Sequence, residues 1–135
     1  MVIHGMIEDM LSKDWLIRYL LERSDLTLTQ ADTLMIFFEY RSRGDSLSGM
    51  ILARDGGEVS KGSFDRSLRQ GKNNIKRSLN TLIFSYYLGF FDKELLRSLV
   101  RICDLLLDLR GLEIPESRLK EVADVIEEAC NRFVG

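Results

Sequence analysis

The stretch SKGSFDRSLRQGKNNIKRSLNTLIFSY, residues 60–86, decides the fold of this chain. Apolar or small residues recur in it at intervals of three and four, the spacing of one face of an α-helix: Phe64, Leu68, Gly71, Ile75, Leu79, Leu82 and Tyr86. Ser60 is placed to cap the first turn of this helix. Gly71 lies on the apolar face, where its missing side chain allows a second helix to approach closely. Because glycine is a poor helix former, a split into two helices at this point also stays open.

The opposite side of the same helix is polar and basic. Its residues repeat by three and four and form a row about 20 Å long: Arg66, Arg69, Asn73, Lys76, Arg77 and Asn80. Residues 61–91 contain six basic side chains and one acidic one, although the whole chain carries a net charge of −2. Concentrated positive charge attracts a polyanion such as DNA, whatever the charge of the remaining surface.

Helical periodicity continues along the rest of the chain. We expect an amphipathic helix over residues 7–24, with Ser12 as a candidate break, and a leucine-rich helix from Asp92 to Arg110. Helix starts and stops are predicted from capping residues: a capping box at Thr29–Asp32, an end at Gly44, a cap at Asp45 or Ser46, an end at Gly56–Gly57, and a first helical residue at Pro115.

The predicted fold is therefore an all-α bundle of about five to six helices with little or no β-sheet, in a single domain of 135 residues. It divides into an N-terminal helical segment (1–28), a helix-turn-helix core (29–91) and C-terminal helices (92–135). No apolar run approaches the roughly 20 residues of a membrane span, and residues 1–10 lack signal-peptide features. We therefore expect a cytoplasmic protein.

The sequence predicts no metal site, no cofactor and no catalytic centre. Cys103 and Cys130 fall on apolar helix faces and are expected to be buried, and His4 is the one histidine of the chain. Asp104 and Asp108 share a helix face, without an evident cleft. The chain has no glycine-rich phosphate loop and no nucleophile paired with a histidine, so an enzyme is the least favoured class.

The segment ILARDGGEVSKGSFDRSL, residues 51–68, has the spacing of a helix-turn-helix. Ala53 supplies the small residue of the first helix, Gly57 the turn and Val59 the apolar plug, while Phe64 and Leu68 are the buried positions of the second helix. The turn has one residue more between Gly57 and Val59 than the tight form of the motif. The same spacing also fits an ordinary helical corner.

Residues 59–66 and 79–91 (VSKGSFDR and LNTLIFSYYLGFF) resemble the helix-turn-helix and winged-helix transcription regulators of archaea. The resemblance covers about residues 29–91. It implies double-stranded DNA as the partner and a recognition helix that ends near Gly89. A winged helix continues into a β-hairpin, whereas here Asp92 begins a helix. The resemblance therefore implies that C-terminal helices replace the wing, as a dimerisation arm.

Two overlapping stretches are candidates for the DNA groove. The helix-turn-helix spacing favours 60–70, with Lys61, Ser63, Arg66 and Arg69 facing DNA. The winged-helix resemblance favours 72–88, with Lys72, Asn73, Lys76, Arg77 and Asn80 in that role. Arginine and lysine suit phosphates and guanine edges, and the amides of Asn73, Asn74 and Asn80 suit adenine. Each of these residues is also compatible with a merely solvated helix face.

We expect a homodimer, because one recognition helix reads only one half-site. The N-terminal helix with Trp15 and the helix at 92–110 are the candidate contact surfaces, with an intramolecular core as the alternative for both. A helical protein–protein adaptor without nucleic-acid binding is the alternative function, but it leaves the basic residues unexplained. RNA binding is less favoured, because Phe84, Tyr86 and Tyr87 fall at apolar positions and are expected to be buried.

Overall fold

The computed structural model describes residues 14–44, 46–53, 59–110 and 115–134. Within these ranges the chain forms six α-helices and no β-strand, which confirms the predicted all-α fold. The helices are α1 (Trp15–Glu22), α2 (Leu28–Ser42), α3 (Leu47–Ala53), α4 (Lys61–Tyr87), α5 (Lys93–Leu109) and α6 (Glu116–Val134). No helix in the described ranges is long and apolar enough to cross a membrane.

The chain separates into two units, one ending at Ser78 and the other beginning at Leu79. The first unit contains α1, α2, α3 and the larger part of α4. The second contains the end of α4 together with α5 and α6. The basic residues from Lys61 to Arg77 all belong to the first unit.

Helix α1 begins where Asp14 caps it. The Asp14 carboxylate accepts hydrogen bonds from the backbone amides of Leu16 at 2.9 Å and Ile17 at 3.4 Å. Leu16 and Tyr19 are buried, and Trp15 is half-buried with its ring stacked on that of Tyr19. The part of the predicted helix that precedes residue 14, with Ser12, lies outside the described residues.

Helix α2 begins at Leu28 because Thr27 and Gln30 form a capping box. The Thr27 hydroxyl accepts from the Gln30 amide at 3.1 Å, and the Gln30 Oε1 accepts from the Thr27 amide at 3.2 Å. The prediction of a box at Thr29–Asp32 is therefore wrong, since Asp32 is buried within the helix. A glutamine three residues after the cap reaches back to the cap amide, which is why the box forms here. The helix ends as predicted before Gly44, which has a φ of +75°.

The core of the first unit joins three helices. Ile36 of α2, Met50 of α3 and Phe64 of α4 form one buried cluster, and five half-buried side chains pack around it: Phe37, Tyr40, Leu47, Ile51 and Leu68. Phe64 is buried as predicted, whereas Leu68, also predicted to be buried, is half-buried. Ser46 caps that helix, since its hydroxyl accepts from the Gly49 amide at 3.3 Å. Asp45 and the turn glycines Gly56 and Gly57 lie outside the described residues.

Helix α4 is continuous over its 27 residues, so Gly71 does not split it. Ser60 caps the helix as predicted, its hydroxyl accepting from the Ser63 amide at 3.1 Å. A Cβ atom placed on Gly71 would lie 2.7 Å from Cδ1 of Leu34. The absent side chain is therefore what allows α2 to approach α4 closely, as the sequence predicts.

Helix α4 ends in a Schellman motif. The Phe90 amide donates to the Ser85 carbonyl and the Gly89 amide to the Tyr86 carbonyl, both at 3.0 Å, and Gly89 has a φ of +78°. A residue with this backbone angle is accommodated most easily as glycine. The predicted helix end near Gly89 is thus present, two residues after Tyr87.

Helix α5 begins directly after Asp92, whose carboxylate accepts from the Leu95 amide at 3.1 Å. Helix α5 contacts α6, which begins at Glu116 so that Pro115 lies just before it and not at its first position. Cys103 and Cys130 are exposed free thiols, and their predicted burial is wrong. Cys103 is exposed because α5 has more apolar surface than its neighbours cover. Cys130 is exposed near the end of α6, seven residues after the buried Ala123.

Candidate nucleic-acid interface

Five polar residues of α4 form one exposed row on the side opposite Phe64 and Gly71. This basic row consists of Arg66, Arg69, Asn73, Lys76 and Arg77, all of them exposed. At 3.6 residues per turn they fall within a sector of about 100° of the helix, and the row is about 16 Å long. The buried face of α4 is fixed against α2 and α3, so the packing of the core holds the basic row outwards.

Three of the four cations of the basic row are not neutralised by neighbouring acids. Arg66, Arg69 and Lys76 have no ion-pair partner among the described residues. Asp65, which is exposed, is the single acid of α4 and lies at the edge of the sector. Unpaired charges on a rigid helix maintain a positive potential at the surface, where a phosphate backbone is attracted.

Three of the predicted contact residues lie beside the basic row and not within it. Lys61 is exposed in the first turn, whereas Ser63 and Lys72 are half-buried and face away from the centre of the row. Lys72 is about 100° around the helix from Asn73. The row therefore combines members of both candidate stretches, Arg66 and Arg69 from the first and Asn73, Lys76 and Arg77 from the second.

Lys72 faces α2, where its Nζ lies 4.1 Å from the centre of the Phe37 ring. The guanidinium of Arg41, also on α2, lies 5.6 Å from the centre of the same ring. Cation–π contacts of this kind hold a long basic side chain against an aromatic face. Two cations from different helices thus meet at Phe37. Arg41 is a second cation at the Phe37 ring that sequence reasoning missed, because 31 positions separate it from Lys72.

Asn74 is not available to read a base. Its Nδ2 donates to the Gln30 Oε1 at 2.9 Å and to the Asp25 carbonyl at 3.2 Å, so both amide hydrogens are used within the protein. The expectation that Asn74 pairs with adenine is therefore wrong. Its neighbour Asn73 is exposed in the basic row and keeps an amide that can reach a base edge.

The end of α4 differs from its first part. Asn80 is exposed but belongs to the second unit. The aromatic residues that follow are also exposed, Phe84 by 60%, Tyr86 by 37% and Tyr87 by 85%, so their predicted burial is wrong. Their helical spacing matches that of the buried residues of the first unit, yet the second unit does not cover them. Because these aromatic side chains are exposed, burial is no longer a reason to exclude a base-stacking surface.

The described residues do not bring together three histidine, cysteine or acidic side chains that could share a metal ion. An open hollow of about 530 Å³ in the second unit is lined by Tyr86, Phe91, Asp92, Lys93, Glu94 and Arg97. Its charged lining is of mixed sign, which is typical of ordinary solvated surface.

No protein-family model, curated protein or solved structure is significantly similar to this chain.

Proposed function

We propose that this protein binds double-stranded DNA sequence-specifically, as a transcription regulator that acts as a homodimer, and that the basic row of α4 contacts the nucleic acid. The observation that carries the proposal is the basic row itself: four cationic side chains and one amide on one exposed side of a continuous helix. A solvated helix face normally mixes both signs of charge. A row of one sign is typical of a surface that meets phosphates.

The dimensions of α4 support this assignment. The major groove of B-DNA is about 12 Å wide and admits an α-helix, so a row about 16 Å long can contact phosphates on both sides of the groove. Arg66 and Arg69 have the forked geometry that binds phosphates or guanine edges, and Asn73 lies between the cations. The phosphate contacts would position the helix, and Asn73 is the candidate for contact with a base.

The arrangement of the first unit also supports the proposal. Helices α3 and α4 share a buried core with α2 through Ile36, Met50 and Phe64. Two helices held together in this way, of which the second presents its outer side to solvent, are the framework of a helix-turn-helix. The segment between Ala53 and Lys61 is longer than the tight turn of that motif.

A helical protein–protein adaptor is the second candidate function. It is favoured by the exposed apolar side chains of the second unit, among them Phe90, Val100 and Leu107. Exposed apolar surface of this kind marks sites of protein association. The adaptor function does not account for the basic row.

The test is a fluorescence-anisotropy titration of a labelled random-sequence duplex, repeated across a series of salt concentrations. If three to four cations contact phosphates, the logarithm of the affinity falls with the logarithm of the salt concentration with a slope of about −2.7 to −3.6. Absence of binding at low salt would exclude the proposal in favour of the adaptor.

Two further experiments separate the parts of the proposal. Selection from a random duplex library tests sequence specificity, and a sequence-specific protein is expected to enrich one sequence. A single-stranded oligonucleotide is the necessary competitor, because Phe84 and Tyr87 are exposed and aromatic side chains stack on unpaired bases. Tighter binding of the single strand than of the duplex would contradict the assignment of double-stranded DNA.

A further inference from the structure

Helix α5 carries two apolar stripes, of which the protein covers one. The first stripe is half-buried and consists of Leu95, Leu99, Ile102, Leu106 and Leu109. The second, here called the α5 seam, consists of Leu96, Val100, Cys103 and Leu107. No residue of α5 is fully buried. The sequence leaves open whether this helix is central in the fold or shared with a second subunit. A central helix would be buried on both stripes, so the exposure of α5 favours a helix shared with a second subunit.

Three of the four residues of the α5 seam are exposed although the seam is apolar, and Leu96 is half-buried. Val100 is 59% exposed, Leu107 is 62% exposed, and the Cys103 thiol is also exposed. The intervals between its residues are four, three and four, which is the spacing of the contact positions in a two-stranded coiled coil. A hollow of about 390 Å³ lies at the first half of the seam, lined by Leu96, Arg97, Val100 and Arg101.

The charges beside the seam indicate what covers it. Arg97 and Arg101 lie in the first half of α5, and Asp104 and Asp108 lie in the second half. The helix macrodipole favours the opposite distribution, acids near the first turn and bases near the last. Glu94 in the first turn follows this preference and Asp108 in the last turn opposes it, while Arg97, Arg101 and Asp104 lie in interior turns, where the macrodipole has little effect. The order of Arg97 and Arg101 before Asp104 and Asp108 is complementary to the same helix run in the opposite direction.

We propose that two copies of this chain pair through α5 in antiparallel orientation about a twofold axis, with the α5 seam of each copy against that of the other. The twofold places Val100 level with the partner's Cys103 and Leu96 level with the partner's Leu107. The hollow at Leu96 and Val100 then receives the partner's Leu107. This interface specifies the homodimer of the proposed function, and it does not rest on DNA binding.

The antiparallel direction follows from Arg97 and Asp104. Both come directly after a seam residue, so they flank the same side of the seam. In the antiparallel pair, Arg97 lies within about two residues, roughly 3 Å along the axis, of the level of the partner's Asp104. In a parallel pair Arg97 and Asp104 of one copy lie on the opposite flank of the seam from those of the partner, so this charge pair does not form. Among the described residues of one chain, Arg97 pairs with Glu94 at 3.6 Å, and both side chains are largely exposed, so little is lost when Arg97 turns to a partner.

Disulfide mapping tests both the interface and its direction. In a Cys130→Ser background, Val100→Cys is expected to give an oxidised dimer linked between positions 100 and 103, identified by peptide mass spectrometry. The distance between Cα atoms that a disulfide allows is short, so the linkage reports which residues are level. Linkage of Cys103 to the partner's Cys103 in preference would overturn the antiparallel pairing.

Sedimentation equilibrium at about 50 µM tests whether the pair forms, since small interfaces of this kind associate weakly. The unmodified chain is expected to give the dimer mass. Arg97→Asp is expected to weaken the dimer about tenfold, and addition of Asp104→Arg to restore it, because the double exchange rebuilds both charge pairs. Val125→Glu, at an exposed apolar position on α6, is the control and leaves the dimer intact.

A monomer mass for the unmodified chain, or a double variant that dimerises no more tightly than Arg97→Asp alone, would overturn the proposal. Neither measurement contains DNA, so failure of the dimer is separate from failure of DNA binding.

Discussion

The side chains of Asn74 and Gln30 join α4 to the first turn of α2. The Asn74 Nδ2 donates to the Gln30 Oε1 at 2.9 Å, and the same oxygen accepts from the Thr27 amide in the capping box. One glutamine therefore caps α2 and fixes the rotation of α4 about its axis. Because Asn74 faces α2, its neighbour Asn73 and the other residues of the basic row face solvent.

The adjacent asparagines give a matched pair of substitutions. Asn74→Asp replaces a donor by an acceptor that faces the Gln30 Oε1 and the Asp25 carbonyl, so we expect the free energy of unfolding to fall by about 1–2 kcal/mol. Asn73→Asp makes the same chemical change on the exposed side and is expected to stay within about 0.5 kcal/mol of the unmodified protein. Urea unfolding measures both values.

The same pair separates stability from DNA binding. Asn73→Asp places a carboxylate within the basic row and is expected to weaken DNA binding. Asn74→Asp is expected to weaken DNA binding only to the extent that it unfolds the protein. Equal losses of stability for the two variants would show that Asn74 does not anchor α4 against α2.

Gly71 is expected to tolerate no large side chain. A Cβ atom there would lie 2.7 Å from Cδ1 of the buried Leu34, so Gly71→Leu forces apart α2 and α4 and costs about 1–3 kcal/mol. Gly62→Leu is the control in the same helix, since a Cβ atom at that position meets nothing within 4 Å. Thermal unfolding compares the two variants. A Gly71→Leu protein as stable as the control would refute the close approach of the helices.

Lys72 and Lys76 belong to the same helix but are expected to differ in role. Lys72→Gln removes the ammonium from the face of the Phe37 ring and is expected to lower stability by about 0.5–1 kcal/mol. Lys76→Gln leaves stability unchanged and is expected to lower the salt slope of DNA binding by about 1. Denaturation and the salt series, applied to both variants, check the assignment. If Lys72→Gln lowers the slope more than Lys76→Gln does, the side chain of Lys72 leaves Phe37 to bind DNA.

Periodicity predicts α4 because one helix obeys one geometric rule along its whole length, and it predicts the two sides of the helix as far as Gly71. Beyond Gly71 the predicted burial of the apolar face is wrong, since Ile75 is 39% and Leu79 54% exposed. Phe64 and Gly71 are inside and Arg66, Arg69 and Lys76 are outside for the same reason, their angular position on the helix. The cap at Ser60 also follows from local chemistry, whereas the helix end near Gly89 is implied by the resemblance to winged-helix regulators. These features require no knowledge of the other helices.

Features that depend on contacts between helices were not predictable in this way. The partners of Asn74 and Lys72 lie on or before α2, more than 30 positions away, and nothing in the local pattern distinguishes Asn74 from Asn73. The contact of Arg41 with the Phe37 ring was not predictable for the same reason. The exposure of Tyr87 and Cys103 was missed because helical periodicity indicates that a face is apolar, but not that the chain itself covers the face.

The most direct test of the account is a comparison of three proteins titrated against the same labelled duplex across a salt series. They are the unmodified chain, the triple variant Arg66→Gln, Arg69→Gln and Lys76→Gln, and the control Arg118→Gln, Lys120→Gln and Arg132→Gln on α6. Both variants lose three positive charges, so they differ only in where the charges were. We expect the α4 variant to bind at least about tenfold more weakly, with the salt slope reduced by about 2 to 3, and the α6 variant to bind almost as tightly as the unmodified chain. Equal losses in both variants, or none in either, would contradict the assignment of the basic row as the DNA-binding surface.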